Sequence, residues 1–173
     1  TATSGRLWDV GGWVFPMAPS DSVEAAFLGQ VAVEGLKATR IAVYFVNSAY
    51  GTGIRTELAR WLSNRGLAPV DEVPYVIGAD LETLVEASVR RSRPDLAVLV
   101  GRRIEVARMA ALLFDLDPSI RLLAADGAYD QLAELISEAG PAADSLYLTT
   151  FWVADTTVPV QREFIHRYRL DTG

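Results

Sequence analysis

The chain has 173 residues, 50% hydrophobic and 22% charged, with a net charge of −6. This is enough apolar material for one packed domain and too much for a disordered chain, while the acidic balance argues against binding nucleic acid or an anionic membrane. The absence of cysteine excludes a disulfide framework, thiolate catalysis and Cys-based zinc sites.

In chain order, Trp13 to Met17 reads as a short strand, stopped by Pro16 and Pro19. Ser20 and Asp21 are N-cap residues with Glu24 placed as in a capping box, so a helix is expected from Ser22 to Leu36. Its apolar side is expected to carry Val23, Ala26, Phe27, Val31 and Leu36. Arg40 to Phe45 is nearly continuously apolar, the pattern of a parallel strand covered on both faces. A turn at Asn47-Ser48-Ala49 and the run Tyr50-Gly51-Thr52-Gly53 lead into a helix from Thr52 to Asn64, stopped at Gly66.

Pro69 to Tyr75 is a more polar strand suited to a sheet edge. Asp80 caps a helix through Ser92, whose basic end, Arg90-Arg91-Ser92-Arg93, suits a helix C-terminus. After the Pro94-Asp95 turn come a second buried strand, Leu96 to Val100, then Gly101 and a helix over Glu105 to Phe114. A third strand, Arg121 to Ala124, meets Asp126-Gly127. A helix over Tyr129 to Ala139 ends at Gly140-Pro141, a strand runs from Leu146 to Phe151, and a last helix covers Gln161 to Tyr168. Strands alternating with helices through short connections predict an α/β domain: a three-layer, open, mostly parallel sheet with helices on both faces. Arg40–Phe45, Leu96–Val100 and Arg121–Ala124 are its expected central strands, because they are apolar enough to be covered twice.

No run reaches the ~18 apolar residues of a membrane-spanning helix. The N-terminus lacks the basic-then-apolar order of a signal peptide, and both ends read as cut points in a longer polypeptide. Much chemistry is missing. The G-x-G at Gly51 to Gly53 has Thr56 where a dinucleotide fingerprint needs its third glycine, and no P-loop lysine follows. There is no G-x-S-x-G elbow. The only histidine, His166, lies in the last helix beside Arg167, away from any strand end, which argues against a triad or a His-based metal site. No enzyme, no metal and no cofactor are expected. Attention falls instead on the strand ends, where open α/β sheets bind ligands and helix N-termini present free N–H groups. Tyr50 stands at such an end and offers a ring to stack and a hydroxyl to hydrogen-bond.

Four motifs, in this order and spacing, resemble the branched-chain amino-acid (Leu/Ile/Val) binding family of ABC transporter receptors, which have the type I periplasmic binding-protein fold. Phe15-Pro16-Met17-Ala18-Pro19-Ser20-Asp21 looks like the lead into that family's second lobe. Asn47 to Gly53 looks like its D-x-x-Y-G-x-G, with Asn in place of Asp. Pro94-Asp95-Leu96-Ala97-Val98, followed by Gly101 and Glu105, looks like its P-D-x-V strand and G-x-x-x-E. Ala125-Asp126-Gly127 resembles its acidic-Gly turn. The match covers about residues 13 to 170 as one second-lobe-like, ligand-binding domain, with residues 1 to 12 as hinge or linker.

The resemblance implies a solute-binding domain of an uptake system for amino acids or related small molecules, outside the cytoplasm, or the same domain used as a sensor. A first lobe or fused domain and a membrane permease would be partners, and no nucleic acid is implied. It points to Tyr50 and Ser48 in the Y-G segment, to Asp126 as the partner of a ligand ammonium group, and to Arg102 and Arg103 facing the cleft. The two arginines suggest a ligand with a carboxylate; pairing with nearby carboxylates such as Glu105 is the plainer role for them. The alternative for the whole chain is a degenerate lobe serving as a protein-interaction or regulatory module.

Overall fold

The computed structural model describes residues 18 to 172, so the hinge segment over residues 1–12 and the strand at Trp13–Met17 lie outside the described residues. Among the described residues five strands form one sheet: β1 Ile41–Val46, β2 Asp71–Tyr75, β3 Leu96–Val100, β4 Arg121–Ala124 and β5 Leu146–Leu148. Their spatial order is β2-β1-β3-β4-β5, and every neighbouring pair is parallel. The three inner strands, β1, β3 and β4, are the expected central strands. The Asp71-Glu72-Val73-Pro74-Tyr75 strand, which carries charge and a proline that cannot donate to a ladder, takes an edge.

The described residues form six α-helices, α1 Asp21–Gln30, α2 Ala49–Ser63, α3 Leu81–Ser92, α4 Arg103–Leu116, α5 Leu132–Ala139 and α6 Pro159–Thr172, of which α1 to α5 cover the two faces. The pleat divides the strands between two cores. Ile41, Val43 and Phe45 of β1 pack with Leu96, Val98 and Val100 of β3 beneath Ala25, Leu28 and Ala32 of the first helical segment and Ile54, Leu58 and Leu62 of α2. On the other face, Ala42, Tyr44, Ala97 and Leu99 pack beneath Val85 of α3, Val106 and Met109 of α4, and Leu135 of α5. The helix α6 has no buried residue; Val160, Phe164, Tyr168 and Leu170 are all exposed.

Several expectations need correction. The helix expected over Ser22–Leu36 is α1 followed by a π-helical turn at Val31–Gly35; Val31 and Leu36 pack against the core as expected, but α1 turns a different face inward. Val23 and Phe27 are 58% and 50% exposed, while Ala25, Leu28, Gly29 and Ala32 are buried. The small residues win the inner face because α1 lies tight against α2: a Cβ on Gly29 would stand 2.4 Å from Trp61. Nor does a capping box form, since Ser20 makes no side-chain cap bond and Glu24 reaches elsewhere. The helix α2 begins at Ala49, three residues earlier than expected, because the Ser48 hydroxyl caps it. In the segment expected to be helical from Tyr129, Gln131 is left-handed (φ 52°) and α5 starts only at Leu132. The strand expected to reach Phe151 stops at Leu148, because Thr150 Oγ1 closes a turn onto the Trp152 backbone.

Candidate functional site

The strand order reverses between β1 and β3, the place where the loops after the strands part and leave a crevice. Ser48, Tyr50, Arg102, Arg103 and Asp126 all line one open cavity there, of about 850 Å³. They come from three successive strand ends: β1 supplies Ser48 and Tyr50, β3 the arginines, and β4 Asp126.

Tyr50 sits on the first turn of α2 and reaches across to the loop after β4. Its hydroxyl donates to Asp126 Oδ1 at 2.8 Å and accepts from the Gly127 backbone N–H at 3.1 Å. Burial, together with the charges of Glu24 and Asp126, pushes the Tyr50 phenol well above its ordinary range, so it remains a donor. Gly127 permits the approach: a Cβ there would stand 2.9 Å from the Tyr50 hydroxyl and 2.7 Å from the Gly101 carbonyl oxygen. Ser48 serves the backbone, its Oγ accepting from the Gly51 N–H at 3.3 Å.

The two arginines part company. Arg103, at the start of α4, pairs with Glu138 of α5 at 2.8 Å rather than with Glu105. Arg102 is exposed, and its guanidinium makes no ion pair or hydrogen bond among the described residues. It is therefore the cation at the cavity mouth with capacity to spare.

The sequence placed Glu24 in a capping box and not in the site. From α1 its Oε1 accepts the Asp126 backbone N–H at 2.7 Å, and the Thr149 hydroxyl lies 3.4 Å away. Burial and the neighbouring charge of Asp126 push the Glu24 carboxyl up from 4.5 to about 8. Next to it lies a smaller cavity of about 250 Å³, walled by Pro19, Val23, Phe27 and Phe151, which meets the larger one at Asp126 and Phe151. No local signal marked Glu24 for the site, since a carboxylate in the first turn of a helix is favoured there in any case.

No group of three or more His, Asp or Glu side chains that could hold a metal occurs among the described residues. Among the described residues, no helix is long and apolar enough to cross a membrane.

Comparison with known proteins agrees with this architecture. No curated protein sequence matches the chain. Among solved structures, a leucine-binding protein LivK from Thermotoga maritima superposes with a TM-score of 0.77 at 24% identity, covering 90% of this chain and 44% of that one. A putative branched-chain amino acid ABC transporter protein from Rhodospirillum rubrum gives 0.85 at 20% identity, covering 100% and 49%. The substrate-binding protein LivJ from Streptococcus pneumoniae, solved in complex with isoleucine, gives 0.67 at 20% identity, covering 90% and 44%. The chain thus spans less than half the length of these structures. The sequence profile of the periplasmic binding protein family matches residues 1–173, and the chain belongs to that family, with the fold of one lobe of a type I member.

Proposed function

We propose that this chain is the ligand-binding lobe of an extracytoplasmic receptor that captures an amino acid or a related small amine-bearing carboxylate. The family consists of binding proteins, and membership supports a non-catalytic role outside the cytoplasm. The observation that carries the reading is the convergence of Tyr50, Asp126 and Arg102 on one cavity at the switch point of the sheet. Asp126, fixed by the Tyr50 hydroxyl, presents carboxylate charge to a ligand ammonium group, and Arg102 presents a guanidinium to a ligand carboxylate. The cavity is open on one side, so a second lobe closing over it would complete the capture and signal to a permease.

In the intact protein, titration calorimetry against a panel of amino acids should give binding that Asp126→Asn weakens selectively. Ligands with an ammonium group should lose about 1.5–3 kcal/mol, the worth of a hydrogen bond to a charged partner. Unchanged affinity in the variant would remove Asp126 from the site. Arg102→Glu should weaken carboxylate-bearing ligands and lower the salt dependence of binding, whereas Arg103→Glu should act chiefly by breaking the Glu138 pair. Equal affinity for L-leucine and for its amide, before and after the Arg102 change, would count against a carboxylate contact.

A further inference from the structure

More acid gathers around the smaller cavity than one ligand ammonium requires. Asp126 comes from the loop after β4, and its backbone N–H is bonded by Glu24, 102 residues earlier in the chain. Asp21, one turn before Glu24, is also buried, and its Oδ1 has no hydrogen-bond partner among the described residues. The groups that face Glu24 are Asp126, Asp21 on its own helix, the Tyr50 phenol from α2 and the Thr149 hydroxyl after β5. None of the ion pairs of the described residues includes Glu24 or Asp126. Carboxylates gathered this closely without a paired cation disfavour one another's ionisation.

We propose that Glu24 and Asp126 hold one proton between them and that a ligand ammonium group displaces it, so that Glu24 sets the preference of the site for cationic over neutral head groups. The inference rests on the reading of the cleft as an amine site. The surroundings assign the proton: Glu24 lines the smaller cavity beside Pro19, Val23, Phe27 and Phe151, and that apolar wall disfavours its charged form. Asp126 Oδ1 is already engaged by the Tyr50 hydroxyl, so the proton is placed on Glu24. The upward displacement of the Glu24 carboxyl to about 8 agrees with this assignment. With the proton in place the pair carries one negative charge. When a cation arrives its field favours ionised Glu24, and the proton passes to the buffer. A neutral head group brings no such field and meets only the uncompensated charge of Asp126.

The test is carboxyl-¹³C NMR of the intact protein labelled at Asp and Glu, titrated with and without methylammonium chloride, with sodium chloride at equal ionic strength as control. One resonance, absent in Glu24→Gln, should titrate near pH 8. Methylammonium should lower that midpoint by about one pH unit or more, the effect of an opposite charge at contact distance, and sodium should not. In Asp126→Asn the same resonance should titrate lower without any added cation. A Glu24 carboxyl in the ordinary carboxylate range, or a midpoint indifferent to methylammonium, overturns the proposal. If methylammonium shifts the midpoint but no amino acid binds, the proton-sharing pair stands and the amino-acid receptor reading falls.

Discussion

Between about pH 5 and pH 8.5 the protein should lose on the order of 3 kcal/mol of folding stability that the Glu24→Gln variant does not lose. The folded-state carboxyl of Glu24 is raised from 4.5 to about 8. A group raised in the folded state favours folding while it is protonated in both states. Its contribution is complete below about 4.5 and is lost as pH rises through about 8, because only the unfolded chain gives up its proton in that window. The residual access of solvent to Glu24 keeps the loss below the full span of the shift. Gln retains an oxygen for the Asp126 N–H and carries no charge, so the variant mimics the protonated form at every pH. Asp80, Asp95, Asp117 and Asp155, whose carboxyls are held low mainly by Thr and Ser partners, act in the opposite direction, but only at more acidic pH. Urea unfolding followed by circular dichroism at the two pH values measures the difference. Parallel pH profiles for wild type and variant would refute it.

Gly51→Ala should cost about 3 kcal/mol, the upper end of what overpacking costs in a core, because the obstructing atoms are backbone. A Cβ at Gly51 would stand 2.0 Å from the Val46 carbonyl oxygen and 3.0 Å from the Val46 carbonyl carbon. Relief requires the first turn of α2 to move off the end of β1, and Tyr50 moves with it. Gly35 provides the contrast. A Cβ there meets only Val31, at 4.0 Å, so Gly35→Ala should gain roughly 0.5 kcal/mol from reduced backbone entropy of the unfolded chain. Urea midpoints of the two variants should therefore move in opposite directions, and a Gly51→Ala protein as stable as wild type would mean the α2 seat is looser than described.

The sheet was legible because its inner strands are apolar on both faces. Ile41 to Phe45 and Leu96 to Val100 leave no polar side to turn to water, and only a doubly covered parallel strand accepts such runs. The positions of Tyr50, Arg102, Arg103 and Asp126 at one sheet edge followed from the same reading, since each comes directly after a strand. The orientation of α1 was not legible. The run Val23-Glu24-Ala25-Ala26-Phe27-Leu28 offers two apolar faces, and the choice depends on how closely Trp61 of α2 approaches Gly29. Likewise the partner of Glu24 could not be read from its neighbours: local spacing suggested a cap, and the tertiary bond to Asp126 took precedence.

The Tyr50–Asp126 bond spans 76 residues and the Glu24–Asp126 bond 102. Loops of that length are closed late in folding, after the strands between them have paired, because each closure sets chain entropy against a single contact. The acid cluster should therefore be among the last parts of the molecule to assemble. Refolding monitored at an Asp126 or Tyr50 probe should lag behind pairing of β1 with β3, and the charge borne by Glu24 at the refolding pH should change the rate of that final step.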